Sequence, residues 1–161
     1  MPVLLTDNQI DDLIQEPKPV PHDFQKKMQP KPKRMHKEAE MDLVGDNGSE
    51  FRLIVRQSDI NTLDFSLILA YRVPKSNALF RLRRYNGKSH EHTNKIEGNS
   101  FYDFHIHKGT ERYQDSGFRE DSYAEPTNRY ADIPQALKAL IGDCNLKIAP
   151  SNQTTLFNGG N

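Results

Sequence analysis

The sequence predicts an α+β fold: a twisted, mainly antiparallel sheet of five or six strands, with a C-terminal helix packed on one face and a short N-terminal helix on a basic, proline-rich arm. Three observations predict it. From Glu38 onward, apolar and polar residues alternate in strand-length runs broken by turn signals such as Asn47-Gly48 and Asn86-Gly87. From Asp132 the apolar spacing becomes helical. Before residue 38, prolines at 17, 19, 21, 30 and 32 interrupt any regular pattern.

The first element is a helix begun by Thr6-Asp-Asn-Gln9, a capping box, with Ile10, Leu13 and Ile14 on one narrow apolar face and Pro17 as its stop. The arm that follows, residues 17–37, is expected to be extended and mobile, with Phe24 and Met28 as its only anchors. Phe51-Arg-Leu-Ile-Val-Arg56 alternates behind the Asn47-Gly48 turn, and Leu63 to Val73 is the best core strand. Ala78 to Tyr85 returns, with Phe80 and Leu82 facing the core and Arg81 and Arg83 facing away. After a loop over His90 to Ser100, the run Phe101 to Lys108 reads as one strand. Tyr102, Phe104 and Ile106 point inward there, and His105 and His107 point to a solvent- or site-facing surface. Residues 109–125 are polar, with a short strand over Gly117 to Tyr123. Asp132 N-caps the closing helix, Pro134 sits in its first turn, and Leu137, Leu140, Ile141 and Cys144 form its buried face. The expected partition is an N-terminal helix (1–16), a linker (17–37), one α+β domain (38–149) and a disordered tail (150–161).

At 161 residues the chain suffices for one domain with tails. Its apolar content of 35% indicates that part of it does not pack. The formal charge is zero but divided: between Pro17 and Lys37 seven basic residues face one acid, Asp23, so a basic arm joins an acidic body. That asymmetry suits RNA or an acidic protein partner, and equally a solvated linker. A single cysteine, Cys144, excludes an internal disulfide and a cysteine-rich zinc site and agrees with a cytoplasmic protein. No apolar run approaches the length of a membrane span, and no secretory leader is evident.

Four of six histidines lie between Arg81 and His107, as the pairs His90/His92 and His105/His107. Imidazole titrates near neutrality and ligates metals, which supports three readings. In the first, His105 and His107 are acid and base for metal-free RNA cleavage, with His92 assisting and Arg81 and Arg83 holding phosphate, without any cofactor. In the second, three or four imidazoles hold zinc. In the third, the histidines are polar residues on the wet face of a sheet, and the protein is an interaction module that works through its N-terminal helix and arm.

Leu5-Thr6 to Leu13-Ile14, Arg81-Leu82, His92-Thr-Asn94-Lys-Ile-Glu97-Gly98, His105-Ile-His107 and Leu137 to Cys144-Asn145 occur in an order that resembles a family of small, uncharacterised prokaryotic proteins. Residues 78–110 more distantly resemble the TumE-like toxins of toxin–antitoxin modules. The resemblance implies a bacterial, toxin-like or defence-associated protein, with an antitoxin or other partner, and His92, Asn94, His105 and His107 as its matched polar positions. It implies no activity of its own. Lys95 stands where a proline is usual.

Overall fold

The computed structural model describes residues 4–150, so the tail expected beyond Pro150 lies outside the described residues. Helix α1 (Asp7–Gln15) begins with the capping box: the Thr6 hydroxyl accepts from the Gln9 N–H, and the Gln9 side chain accepts from the Thr6 N–H. Its Ile10 and Ile14 are buried.

The arm is not a free linker. It forms β1 (Lys18–Val20), the single turn α2 (Phe24–Lys27) and β2 (Lys31–Pro32). Val20, Phe24 and Met28 are all buried, and burying three such side chains offsets much of the cost of ordering the segment. Pro32 lies in an edge strand, where a missing N–H is tolerated. The arm's cations other than Lys18 remain exposed.

A meander follows: β3 (His36–Val44), β4 (Glu50–Ser58), β5 (Phe65–Arg72) and β6 (Leu79–Asn86). Then come β7 (His92–Thr93), β8 (Ser100–Phe101), β9 (His105–Lys108), α3 (Glu111–Asp115), β10 (Tyr123–Pro126), α4 (Ile133–Asp143) and β11 (Leu146–Ile148). The main sheet has seven strands in the order β10-β9-β6-β5-β4-β3-β2, all paired antiparallel. Five or six strands is therefore an undercount. The two-residue β2 and the four-residue β10 close the edges and are too short to declare themselves by alternation. The expected strand from Phe101 to Lys108 is split: only His105–Lys108 joins the main sheet, while Ser100–Phe101 pairs with His92–Thr93 in a separate hairpin. The polar stretch after Gly109 contains α3, capped by Thr110.

One sheet face carries the core. Phe51, Leu53, Val55, Leu67, Leu69 and Tyr85 cluster there with Ile10 and Ile14 of α1 and with Ala136, Leu137 and Leu140 of α4. Cys144 joins them as a small apolar residue, its thiol pushed up to about 11 by burial. No helix among the described residues is long and apolar enough to cross a membrane.

Lys18 ties both ends of this arrangement. Its buried ammonium donates to the carbonyls of Leu13 (2.8 Å), Ile14 (2.8 Å) and Glu16 (2.9 Å) at the end of α1, and to that of Cys144 (2.8 Å) at the end of α4. It also sits 4.6 Å from the centre of the Phe51 ring. Burial draws its pKa down to about 8, opposed by the neighbouring Cys144 and Glu16, so it is charged at neutral pH and complements two helix C-termini. Lys18→Met removes the donor and leaves these carbonyls unpaired. A loss of about 3 kcal/mol in urea unfolding is expected, and an unchanged midpoint would contradict this role.

Candidate functional site

The site is set by an irregularity in β6. Leu69 pairs with Arg83 and Ala70 with Arg81, so Leu82 is an extra residue in a β-bulge. A bulge resets the alternation of side chains. Phe80, Leu82 and Tyr85 are all buried in the core as a result, and Arg81 and Arg84 emerge together on the opposite face. There both guanidiniums reach the carboxylate of Asp121, at 3.3 and 3.0 Å, and Arg81 also pairs with Glu120 at 3.1 Å. Burial opposes the Arg84 charge and Asp121 upholds it. Arg83 does not share that face. Its cross-strand partners are Leu69 and Lys108, its charge acts on Cys144 and Asp143, and its Nε is buried without a partner. Of the two arginines expected to hold phosphate, Arg81 lies on the histidines' face of the sheet and Arg83 on the other. Arg84, the cross-strand partner of His107, takes the place assigned to Arg83.

His105 and His107 lie opposite Ile106, as alternation requires, but that surface is not open to solvent. They are 1% and 4% exposed. The β7–β8 hairpin folds over them: the His92 ring stacks on His105 with centroids 5.3 Å apart and meets His107 edge-on at 4.9 Å, while Phe101 closes on His105 at 5.7 Å. One ring nitrogen from each of His92, His105 and His107 lies within 4.8 Å of the other two. His90 is exposed, with its ring 6.3 Å from His105.

Hydrogen bonds settle where the lone pairs are. A carbonyl only accepts, so His105 Nδ1–H donates to Asp103 O (2.8 Å) and His107 Nδ1–H donates to Asp121 O (2.7 Å). Nε2 of both rings is left with its lone pair, and that of His105 is buried with no partner. His92 is oriented from the edge of the sheet, through Asn94. The Asn94 side chain pairs with the exposed backbone edge of β10, its Oδ1 accepting from Ala124 N (2.9 Å) and its Nδ2 donating to Ala124 O (2.8 Å). With the amide so oriented, His92 Nε2 must donate to Asn94 Oδ1 (2.8 Å), which places the lone pair of His92 on Nδ1. The next turn is held by Glu97, which accepts from Tyr113 Oη at 2.5 Å and pairs with Arg112. Gly98 completes it at φ +81°, a left-handed conformation.

Three imidazoles, each oriented by a hydrogen bond at one ring nitrogen, fit a divalent transition metal. Tetrahedral coordination with bonds of about 2.0–2.1 Å spaces nitrogens by about 3.4 Å, so rings already within 4.8 Å need small rotations. Carbonyl partners on the distal N–H groups are the usual supports of such ligands. The group opens onto a cavity of about 340 Å³ lined by Arg84, Asn86, His90, Lys95, Arg119 and Asp121, among others. A larger cleft of about 510 Å³, between α2 and the start of α4, is lined by Gln25, Met28, Pro30, Pro134 and Leu137 among others and gathers no histidines. Sequence reasoning missed Arg84 and Asp121. The run Arg81-Leu-Arg-Arg84 offered the first, and nothing marked the second.

Residues 5–146 match the model of a family described as a family of unknown function, DUF6978. Comparison with curated proteins and with solved structures gives no match, so the likeness to TumE-like toxins has no support.

Burial holds His105 down to about 4 and His107 down to about 2, with neighbouring cationic groups adding to the effect at both. Unfolding returns both rings to about 6.5. As pH falls through that value, the unfolded chain takes up protons that the folded chain refuses, so the rings' contribution to stability is present above pH 6.5 and is lost toward pH 4. Metal-free protein should lose at most about 1.4 kcal/mol per pH unit for each ring. The slope should be smaller in His107→Gln, and equal slopes between pH 7 and 5 would contradict the burial.

Proposed function

We propose, for a chain that belongs to the DUF6978 family of unknown function, that His92, His105 and His107 hold one divalent transition-metal ion of the zinc class. The observation that carries the reading is the convergence of one nitrogen from each of three imidazoles, in rings that each make a hydrogen bond through one nitrogen and keep the other for an ion. Three protein ligands are the set found where zinc keeps a position for water, and the ion would bring that water's pKa to about 7. The chain's own part is positional. Asp103 and Asp121 carbonyls orient two rings, Asn94 orients the third, and the β7–β8 hairpin keeps bulk water away. Arg84, on the same face, offers positive charge to an anionic substrate. This supports metal-assisted hydrolysis of a phosphate ester, with RNA in a toxin-like or defence setting in the cytoplasm as the substrate class we favour.

Metal-free cleavage by the same imidazoles is the second reading, favoured by their contact with one another and their closeness to Arg84. Against it stands the lowered pKa of His105 and His107, which leaves neither ring an imidazolium to act as general acid at neutral pH. The interaction reading has less behind it, because the apolar faces of α1 and the arm are used within the fold.

Elemental analysis of protein purified without chelator should give one zinc per chain. Cobalt(II) added to the metal-free protein should produce the strong visible absorption of a tetrahedral site. Gln at any one of the three histidines should weaken binding by at least about a hundredfold, with circular dichroism unchanged. Protein that takes up no cobalt overturns the metal reading, and RNA cleavage that persists in chelator and is lost in His105→Gln would favour the metal-free one.

A further inference from the structure

We propose that the open sheet face beside the histidine centre binds single-stranded nucleic acid, laid from the cavity at His107 toward the basic arm. The inference deepens the metal-centre reading by naming what that centre would act on, yet its test runs without metal.

The sheet register supplies the track. His105, Asn86, Ser66, Arg56, Glu38 and Lys31 are cross-strand partners in six successive strands. They therefore form one row across the face opposite the core, buried at His105 and Asn86 beside the histidine cavity and reaching solvent from Ser66 onward. At 4.7–4.9 Å per strand the row is about 24 Å long, comparable with the roughly four nucleotides of the smallest single-strand sites. Two depressions lie along it. One is the histidine cavity, and the other, about 370 Å³, is lined by Met35, His36, Arg56 and Ser66 among others.

Charge favours a polyanion at both ends. The cavity sets Arg84, Lys95 and Arg119 against one carboxylate, Asp121. Asp121 is already engaged by Arg81 and Arg84, whereas Lys95 and Arg119 enter no ion pair among the described residues. At the far end Glu38 is bridged by Arg56 and His36, and the exposed Lys31, Lys33 and Arg34 enter no ion pair among the described residues. Cations alone would suit any acidic polymer. What selects a nucleic acid is Phe118, 41% exposed on the cavity wall next to Arg119. An aromatic face beside phosphate-binding cations is a stacking platform for an unpaired base, worth about 1–3 kcal/mol per base. A duplex keeps its bases stacked and offers no free face to it, and an acidic peptide has no flat ring to place there.

The test is fluorescence anisotropy with labelled twelve-residue oligonucleotides on full-length, chelator-treated protein. Single strands of mixed sequence should bind, and a duplex of the same sequence at least tenfold more weakly. The paired change Lys95→Gln with Arg119→Gln should raise Kd at least tenfold and flatten the dependence of log affinity on log salt by about 1.4, the value for two lost phosphate contacts on a single strand. Phe118→Ala should weaken oligonucleotide binding about tenfold, while inhibition by inorganic phosphate stays unchanged. Parallel RNA and DNA strands report whether the 2′-hydroxyl is read. Binding that is absent, equal for duplex and single strand, or indifferent to these exposed substitutions overturns the proposal. Because no metal is present, that failure is distinct from a failure to take up cobalt.

Discussion

Leu82 occupies a position in β6 that has no counterpart in β5, and the register of everything beyond it follows. Were the same sequence paired without a bulge, Leu82 opposite Leu69, alternation would send Arg84 and Tyr85 to each other's faces. Tyr85, fully buried and bonded through its hydroxyl to Asp143 at 2.6 Å, would lose its place in the core, and the guanidinium would fall where an apolar side chain is needed. A bulge lets one strand serve two demands: Phe80, Leu82 and Tyr85 in the core, and a pair of arginines on the far side that share one carboxylate. The histidines inherit their position from this, since β9 takes its register from the last four residues of β6.

Burying two imidazoles on the non-core face is costly unless something compensates. Each of these rings donates one hydrogen bond to a carbonyl, which leaves an orphaned nitrogen in His105 among the described residues. A hydrophobic residue at either position would satisfy the packing more cheaply. The hairpin that covers them is itself short, two residues in each strand, and depends on contacts outside itself: Asn94 on the edge of β10, and Glu97 on Tyr113. An amide side chain that completes both backbone bonds of an edge residue acts as a strand of one residue, and it blunts that edge as well.

Much of this was legible in the sequence. The capping box at Thr6 and Gln9, the turn at Asn47-Gly48 and the Asp132 cap are local signals, satisfied by residues within four positions of one another. The opposed faces of Ile106 and His107 followed from alternation alone. The misses share one cause: they depend on partners distant in sequence. Nothing near Leu82 announces a bulge, because it is the pairing with β5 that reveals the extra residue. The break at Tyr102 to Phe104 arises because Phe101 is drawn to His92 rather than to the sheet. Phe24 and Met28 were visible as the arm's apolar residues, but whether two anchors overcome five prolines is decided by the surface they meet.

Helix α1 and strand β1 are completed by the far end of the domain. Lys18 waits for the carbonyl of Cys144, 126 positions away, and among the described residues β1 pairs with β11 alone, in parallel. Parallel pairing across such a span belongs to the slow class of contacts, in which a long loop must close before any bond rewards it. On the ribosome, where chains emerge at about 5–20 residues per second, Lys18 and β1 would therefore lack these partners for several seconds after they emerge. The domain is latched by its last strand, and ribosome-bound fragments that stop before Leu146 would leave β1 unpaired and open to chaperones and proteases.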